Sequence, residues 1–331
     1  MKLSQIGERG LLQKIEYWCS AQKSSPYFKP VVPLGDDSFV AKLATNTLAV
    51  STDTLMEGTH FKLQWLNSVL PPTRIWNALG HKAMAANLSD LASMGRVQPL
   101  FAFVTLGLNG DISVDSVDNL YKGMRKLGNL HGISIVGGDI IRSDKSIISL
   151  TVIGIFLPPS KPLTRSGAKI GDLLLLTGPL GLSELGLSYL RAGKKGFETH
   201  LFPTPRLKEG SIIGDNLATS CIDTSDDLLT SLQILSAKSN VGVQVHLNHS
   251  HLPLSFQKRS KRLHKNPLQL FLCGGEDYEL LFTCPKNKFK ELKRKMAHSL
   301  LIGEVKEKKY GIQIFWEGEK IQPKGAGYRH F

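Results

Sequence analysis

Six short segments of this chain place carboxylates among glycine, serine, threonine or asparagine, and these residues have the types and spacing that could do chemistry. Each segment either adjoins an apolar strand predicted from the sequence or lies inside an apolar helix. Ordinary surface charges are instead scattered over polar helix faces. The segments are Gly35-Asp36-Asp37, Ser51-Thr52-Asp53, Asn87-Leu88-Ser89-Asp90, Gly137-Gly138-Asp139, Asp223-Thr224-Ser225-Asp226-Asp227 and Gly274-Gly275-Glu276-Asp277.

A divalent cation would explain this placement. Asp90 is flanked by Leu88 and Leu91, where an uncompensated charge would cost several kcal/mol. Carboxylates with nearby hydroxyls suit Mg²⁺, which completes its ligand shell with water and substrate phosphates. Each carboxylate taken alone could instead be a helix N-cap or an Asx turn, and Asp226 in particular could cap its helix. Together the six segments favour a magnesium–phosphate site.

Basic residues outnumber acidic ones: 41 Lys and Arg against 28 Asp and Glu give a net charge of +13. Such a surface attracts anions, without choosing among nucleotides, phosphorylated metabolites and nucleic acids. The length of 331 residues predicts about two domains. No apolar run approaches the ~20 residues that span a bilayer, and the first nine residues lack the apolar segment of a signal peptide. The four cysteines form no CxxC pair, which fits a cytoplasmic protein.

Several common motifs are absent. The sequence has no GxxxxGK[ST] phosphate loop, no GxGxxG turn and no HExxH motif, so ATP would have to be bound by other means. The basic run 257–265 has no interleaved aromatic residues and is interpreted as a solvated loop or helix face rather than a nucleic-acid patch. His246, His249 and His251 match no metal-ligand spacing and are interpreted as part of a strand and turn.

Helices and strands alternate along the chain, which predicts an α/β or α+β fold. Helices are predicted near 7–20, 74–94, 113–131, 183–192 and 226–239, and strands near 38–41, 47–51, 100–108, 133–136, 147–156, 173–177, Val243 and Leu280. In this interpretation Asp53 and Asp139 end strands, and Glu276 follows a strand-like apolar segment at 270–273. Three prolines within 158–162 place the expected domain boundary near 158.

Taken in order, eight motifs resemble those of thiamine-monophosphate kinases, within the superfamily that includes aminoimidazole ribonucleotide synthetase and selenophosphate synthetase. The motifs are GDDSFV, STDTLMEGTHF, NLSDLASMG, IVGGDIIRS, LTRSGAKIGDLLLLTG, CIDTSDDLL, CGGEDYELLFT and GYRHF, from about residue 30 to residue 331. The resemblance implies a two-domain α/β (α+β) fold like that of aminoimidazole ribonucleotide synthetase. Residues 1–157 would bind ATP and Mg²⁺ and pair their sheet across a homodimer, and residues 158–331 would complete the nucleotide and substrate site.

The resemblance also implies a reaction and its residues. The γ-phosphoryl group of ATP would pass directly onto the phosphate of thiamine monophosphate, giving thiamine diphosphate and ADP, with several Mg²⁺ ions. No covalent or general-base residue is implied, because a phosphate nucleophile is already ionised at neutral pH. No nucleic acid or membrane partner is implied. The magnesium positions are Asp36, Ser51, Thr52, Asp53, Asp90, Asp139, Asp223 and Asp226; the nucleotide positions are Tyr121, Gly138, Asp139, Arg165 and Ser225; and the substrate positions are His60, Glu276 and Tyr328.

Two departures from the family pattern stand out. Asp227 replaces the usual glycine of an Asp-Gly-Leu motif, which adds a carboxylate beside the expected metal site. Ile140 and Ile141 replace a polar pair after Gly-Gly-Asp. The alternatives are an enzyme like aminoimidazole ribonucleotide synthetase, disfavoured by the TDTLMEGTHF and GGEDYELLF motifs, and a non-catalytic nucleotide-binding regulator, disfavoured because no metal aspartate is missing. A nucleic-acid-binding protein ranks last, since only the charge supports it.

Overall fold

The computed structural model of the protein describes residues 29–32, 38–43, 46–159 and 161–323. Within these ranges the chain forms two sheets with helices packed against them. The strands are β1 (Lys29–Val32), β2 (Phe39–Leu43), β3 (Asn46–Met56), β4 (Val97–Leu108), β5 (Ser134–Arg142), β6 (Ile147–Phe156), β7 (Leu173–Leu176), β8 (Ser220–Asp223), β9 (Gly242–Leu247), β10 (Leu280–Cys284), β11 (Leu300–Lys306), β12 (Ile312–Trp316) and β13 (Glu319–Ile321). The helices are α1 (Leu63–Asn67), α2 (Pro72–Ser93), α3 (Val114–Leu130), α4 (Leu182–Arg191), α5 (Glu198–Leu201), α6 (Leu207–Gly214), α7 (Leu228–Ser239), α8 (Leu254–Arg262), α9 (Pro267–Cys273) and α10 (Phe289–Lys295).

The first sheet has the strand order β1-β2-β3-β6-β4-β5. Its neighbours run antiparallel except for β4 and β5, which are parallel. Along β6 the side chains alternate between buried and half-buried, because successive residues of a strand point to opposite faces. This sheet therefore packs one face against the helices and leaves the other partly exposed.

The second sheet has the order β13-β12-β9-β11-β7-β10-β8. Only β9 and β12 are parallel. Strands β7, β8 and β10 are almost entirely buried, as expected for strands covered on both faces, and β7 and β10 are mostly apolar. The second group of acidic segments lies at one edge of these strands, where β8 ends at Asp223 and the antiparallel β10 begins at Leu280.

Helix α2 connects the two sheets and is buried along most of its length. Proline at its first position fits the start of a helix, and its many alanines allow close packing. Leu88 and Leu91 of α2 belong to the same apolar cluster as Cys221 and Phe282 of the second sheet. The carboxylates that α2 and the two sheets carry are thus held by one continuous core.

A close crossing of α2 and α3 depends on two glycines. A Cβ atom at Gly80 would lie 2.0 Å from the Leu120 carbonyl oxygen, and one at Gly123 would lie 2.0 Å from the Asn77 carbonyl oxygen. No larger residue fits at either position unless the two backbones separate.

The mixed α/β fold is confirmed, and most helices and strands lie close to their predicted positions. Helices expected at 74–94, 113–131 and 183–192 correspond to α2, α3 and α4. The basic run 257–265 begins on α8, where Lys258, Lys261 and Arg262 are exposed, as predicted for a solvated helix face. The amphipathic helix predicted at 7–20 lies outside the described residues.

Three local predictions are wrong. Strand β3 continues to Met56 and β5 to Arg142, so Asp53 and Asp139 lie inside strands, because the pairing with β6 and with β4 carries on past them. The segment 270–273 is helical, since Asn266 caps α9 by accepting the Leu268 N–H at 2.9 Å and Pro267 occupies the first turn.

The change from the first sheet to the second falls between Phe156 and Leu173, around the expected boundary near 158. In the described part of the chain no helix is both long and apolar enough to cross a membrane.

Candidate active site

Strand β3 and helix α2 bring two of the expected metal residues, Ser51 and Asp90, together. Ser51 points toward α2 and is buried, and its hydroxyl donates a hydrogen bond to Asp90 Oδ2. The same hydroxyl lies 3.5 Å from Asn87 Oδ1, one turn earlier on the helix. The Asp90 carboxylate within this apolar helix therefore has a partner on the neighbouring strand, as a buried charge requires.

Helix α2 also reaches the second sheet, through the residue next to Asp90. Ser89 donates to Asp223 Oδ2 at 2.7 Å, and Ser225 donates to Asp223 Oδ1 at 3.3 Å. Asp223 is the last residue of β8 and is only 3 % exposed. Residues far apart in the sequence thus meet at one place, where the two halves of the chain are in contact.

The buried phenol of Tyr278 lies within reach of the charges of these carboxylates. Burial raises the pKa of Tyr278 well above its usual range, and the charges of Glu276, Asp53, Asp223 and Asp90 raise it further. Tyr278 is 4 % exposed and was not identified from the sequence, although it lies in the GGEDYELL motif. The charges of both halves therefore act on one buried side chain.

The pKa of Asp53 responds first to burial and then to neighbouring negative charge. The pKa of this side chain is raised to about 6, mainly by burial and further by the charges of Glu276 and Asp226. The Thr54 N–H, which donates to Asp53 Oδ1 at 3.1 Å, acts in the opposite direction and lowers the pKa. A site with this surplus of carboxylates would be relieved by a cation.

Two expected positions do not join this cluster. Thr52 follows Ser51 on an 11-residue strand, so its side chain points to the opposite face, where its hydroxyl donates to the Leu150 carbonyl at 3.1 Å and contacts Thr151 Oγ1 at 2.9 Å. Asp139 is exposed on β5, three strand positions from β3, and Asp139 Oδ1 accepts its neighbour's N–H, from Ile140, at 2.9 Å. Side-chain alternation and sheet order, neither evident in the motifs, separate them from Asp53.

The expected nucleotide positions are spread more widely. A Cβ atom at Gly138 would lie 1.8 Å from the Val104 carbonyl oxygen, so strand packing alone requires glycine there. Tyr121 on α3 is half-buried against the core, and burial raises its pKa. Arg165 is half-buried between β6 and β7, and its carbonyl accepts from Ser239 Oγ at 3.2 Å. Ser225 lies beside Asp223. Asp36 and Tyr328 lie outside the described residues.

Two of the expected substrate positions do come together. His60 Nδ1 accepts the Met56 N–H at 3.0 Å, and the charge of a protonated His60 would help to lower the pKa of Glu276. Burial alone would raise that pKa, but the charge of Lys82 and its hydrogen bond outweigh burial, and the net pKa of Glu276 is lowered. Lys82 Nζ lies 2.8 Å from Glu276 Oε1.

A small pocket, lined from both halves of the chain, lies next to Lys82, the partner of Glu276. Its walls include His60, Phe61, Trp65 and Leu190, and its polar part includes Lys82 and His200. Mostly apolar walls with a few fixed polar groups are typical of a small-molecule site.

Other acidic residues near the site support the fold. Asp277 accepts the Gly181 and Ser183 N–H groups at 2.5 and 2.8 Å, at the start of α4, and burial raises its pKa to about 7. Asp227, the departure from the family pattern, caps α7 by accepting the Thr230 N–H at 2.5 Å. The expectation that Asp226 might cap this helix is therefore wrong, because the helix begins one residue later.

The three histidines near the end of β9 have structural contacts. His246 stacks on Phe315 with ring centroids 4.8 Å apart, and His249 meets Trp316 edge-on. His251 completes a capping box with Asn248. In the described ranges no three His, Cys, Asp or Glu side chains are placed so that they could hold a metal ion.

Comparison with known proteins decides the family. The chain is 32% identical to the thiamine-monophosphate kinase of Aquifex aeolicus (strain VF5), over 100% of both chains. The chain belongs to the thiamine-monophosphate kinase family. It is also 35% identical to the family member of Buchnera aphidicola subsp. Schizaphis graminum (strain Sg), over 90% of this chain and 92% of the relative. Residues 35–156 match the family model "AIR synthase related protein, N-terminal domain".

The fold agrees with this membership. The solved structure described as AaThiL complexed with AMPPCP and TMP superimposes with a TM-score of 0.83 and 30% identity, covering 100% of this chain and 99% of that one. The relationship therefore extends over both sheets.

Proposed function

We propose that this protein is a thiamine-monophosphate kinase that transfers the γ-phosphoryl group of ATP onto the phosphate of thiamine monophosphate, releasing thiamine diphosphate and ADP. The observation that carries the proposal is the full-length similarity to a structure that holds both AMPPCP and TMP. Phosphoryl transfer between two polyanions needs charge neutralisation and alignment more than covalent help. A site rich in carboxylates at the contact between the two halves suits that requirement, once cations are bound.

The donor set fits Mg²⁺. Asp53, Asp90, Asp223 and Asp226, with the Ser51 hydroxyl, supply hard oxygen ligands where burial and like charges raise the pKa of Asp53. Mg²⁺ bound there would neutralise phosphate charge and help to align the phosphates. Among the residues that the structure describes, the carboxylates do not form a complete metal site, which is expected when substrate phosphates supply further ligands. Asp36, Thr52 and Asp139 stay predictions.

The other site residues are proposed to bind the nucleotide or the substrate. Tyr121, Gly138, Asp139, Arg165 and Ser225 are proposed to contact the nucleotide, and His60, Glu276 and Tyr328 to contact thiamine monophosphate. His60 and Lys82 line the same pocket, and Lys82 pairs with Glu276, which supports the substrate set. We further propose two domains, 1–157 and 158–331, and a cytoplasmic location.

A homodimer is part of the proposal. Strand β5 lies at one end of the first sheet in the described residues, and it exposes Val136, Ile140 and Ile141, with Phe103 exposed on neighbouring β4. Exposed apolar side chains along an open strand edge favour pairing with another chain. Ile140 and Ile141 would then serve the subunit interface. Light scattering on the wild type and on an Ile140→Lys variant tests this: a dimer that dissociates in the variant supports it, and a monomeric wild type contradicts it.

The test of activity is direct. Purified protein is incubated with ATP, Mg²⁺ and thiamine monophosphate, and thiamine mono- and diphosphate are separated by anion-exchange chromatography. Controls omit Mg²⁺ or replace the substrate with free thiamine. Thiamine diphosphate formed only in the complete mixture supports the proposal. Absence of product from folded protein that binds ATP would contradict it.

The metal ligands are tested by Asp90→Asn, with Asp118→Asn as the matched control. Asp118 is exposed on α3 and pairs with Lys122. A large loss of turnover in the first variant alone supports the assignment, and equal activity in both variants contradicts it.

A further inference from the structure

A buried lysine lies behind the proposed substrate carboxylate. Lys82 is 2% exposed, whereas its partner Glu276 is 27% exposed. Burying an ammonium group is costly unless it is paired and hydrogen-bonded, and an apolar residue of similar size would fill the same space without that cost. The lysine at this position therefore calls for an explanation beyond packing.

His200 is the second partner of Lys82, and its protonation follows from the geometry. Lys82 Nζ lies 3.2 Å from His200 Nε2, and an ammonium group has only donors, so Nε2 accepts. Burial and the neighbouring Lys82 charge lower the pKa of His200 to about 3, so the ring is neutral and carries its proton on Nδ1. That nitrogen lies 3.0 Å from Ser183 Oγ and 3.5 Å from Glu276 Oε2.

The Glu276 carboxylate therefore has an ion pair at one oxygen and the His200 ring 3.5 Å from the other. Lys82 contacts Oε1 at 2.8 Å, and the Nδ1 side of His200 faces Oε2. The backbone is fixed as well: Glu276 has a φ of 61°, which is costly for a residue with a side chain, and its N–H donates to the Ser225 carbonyl at 2.7 Å. A strained backbone conformation at Glu276 indicates that the position of its side chain matters.

The pocket lined by Lys82 and His200 suggests what this position is for. Phe61, Trp65 and Leu190 give the pocket apolar walls beside Lys82 and His200. These two residues contact the Glu276 carboxylate, which can only accept hydrogen bonds when it is ionised. A ligand matching both features is an aromatic ring that carries an amino group. The aminopyrimidine of thiamine monophosphate has this chemistry.

We propose that Lys82 and His200 are positioning residues that hold Glu276 as a fixed hydrogen-bond acceptor, and that this arrangement selects the amino group of the substrate ring. The inference rests on the proposed function for the identity of the ring. It assigns to Lys82 and His200 no contact with the reacting phosphates.

The test measures binding by calorimetry, so that it does not depend on turnover. The ligands are thiamine monophosphate and the analogue in which an exocyclic oxygen replaces the amino group of the pyrimidine. The variants are Lys82→Met, Glu276→Gln and the double variant. The wild type should prefer the amino ligand by about tenfold to a hundredfold, the size expected for a hydrogen bond to a charged group. Lys82→Met should lose most of that preference, with AMPPCP affinity unchanged within about twofold.

A double-mutant cycle distinguishes positioning from a separate contribution. If Lys82 acts through Glu276, Lys82→Met causes no further loss when Glu276 is already Gln. Additive losses, or a preference retained in Lys82→Met, overturn the inference. If Lys82→Met does not fold, the double variant, which leaves neither charge unpaired, is compared with Glu276→Gln alone. Equal affinities then support the inference, and weaker binding by the double variant overturns it.

Arg206→Met is the matched control for the loss of a buried ion pair. Arg206 Nε donates to Glu279 Oε2 at 2.8 Å, three residues beyond Glu276 and outside the pocket. This variant should lower the melting temperature but retain the ligand preference, and equal loss of preference would overturn the inference. A wild type that binds with the expected preference but transfers no phosphoryl group would refute the proposed function alone. A wild type that transfers phosphoryl groups while Lys82→Met keeps its preference would refute this inference alone.

Discussion

The hydroxyl of Ser89 donates to Asp223 Oδ2 across 2.7 Å, joining helix α2 to the last residue of β8. Both side chains are buried, and they are separated by 134 positions in the sequence. The neighbouring Asp90 accepts from Ser51 on β3. Two consecutive residues of one helix therefore bind one residue in each sheet.

Replacing Ser89 with Ala should destabilise the protein by about 1–3 kcal/mol, because a buried carboxylate oxygen loses its donor. Urea denaturation measures the free energy of unfolding. Ser93→Ala is the control, since Ser93 donates to the Asp90 carbonyl of its own helix at 2.8 Å, and it should cost less than Ser89→Ala. Equal losses in the two variants would contradict a special role for the link between α2 and β8.

Asp53→Asn should stabilise the metal-free protein at neutral pH while reducing catalysis. Burial raises the pKa of Asp53 from 3.8 to about 6, so the folded state binds its proton more tightly than the unfolded state. The stability contributed by this group therefore falls as the pH rises from about 4 to above 6. Removing the charge should gain about 1–3 kcal/mol at pH 7.5 and much less at pH 4.5.

Urea titrations of the wild type and Asp53→Asn at both pH values check this prediction. Adding Mg²⁺ with ATP should stabilise the wild type more than the variant, because ligand binding favours the folded state. If the variant is less stable than the wild type at pH 7.5 without Mg²⁺, the ionised Asp53 side chain does not destabilise the metal-free protein, and the prediction is wrong.

Asp227→Gly, which restores the residue usual in the family, should change stability by less than about 1 kcal/mol. The α7 cap would be lost, but Gly is a tolerable N-cap. A compensating gain comes from Asp227 Oδ2, which is buried and has no hydrogen-bond partner among the described residues. Turnover should stay within about twofold, because Asp227 caps a helix and is not among the proposed ligands. A turnover loss of tenfold or more, measured at saturating Mg²⁺, would make Asp227 part of the metal site.

Gly80→Ala should destabilise the protein by about 2–4 kcal/mol, since the new methyl group would lie 2.0 Å from the Leu120 carbonyl oxygen. Gly110→Ala is the control, because a Cβ atom there would have no neighbour within 4 Å. Thermal unfolding of the two variants compares them. Similar melting temperatures would show that α2 and α3 can separate without cost.

The acidic segments could be found from the sequence because their signal is local. A carboxylate between apolar residues, as at Asp90, is unusual wherever it occurs, and the order of such segments led to the family. What the motifs could not show was the direction of individual side chains. Ser51 and Thr52 are adjacent and equally polar, yet the alternation of β3 sends one into the site and the other to the opposite face.

Contacts between distant residues were also beyond the sequence. Lys82 and His200 lie 118 positions apart, and neither has an unusual local context. Only the packing of α2 against α5 brings them to Glu276. The ends of β3 and β5 were predicted too early for a different reason. Polar residues in the sequence suggest that a strand has ended, although its pairing with the neighbouring strand continues beyond them.

The crossing at Gly80 and the two hydrogen bonds at Ser89 and Asp90 fix α2 at separate points along its length. Adding or removing one residue between these points would rotate the second point by about 100° around the helix axis relative to the first. Both carboxylate contacts would then be lost at once. Evolution can therefore exchange side chains along this stretch, but insertions and deletions there should be eliminated by selection.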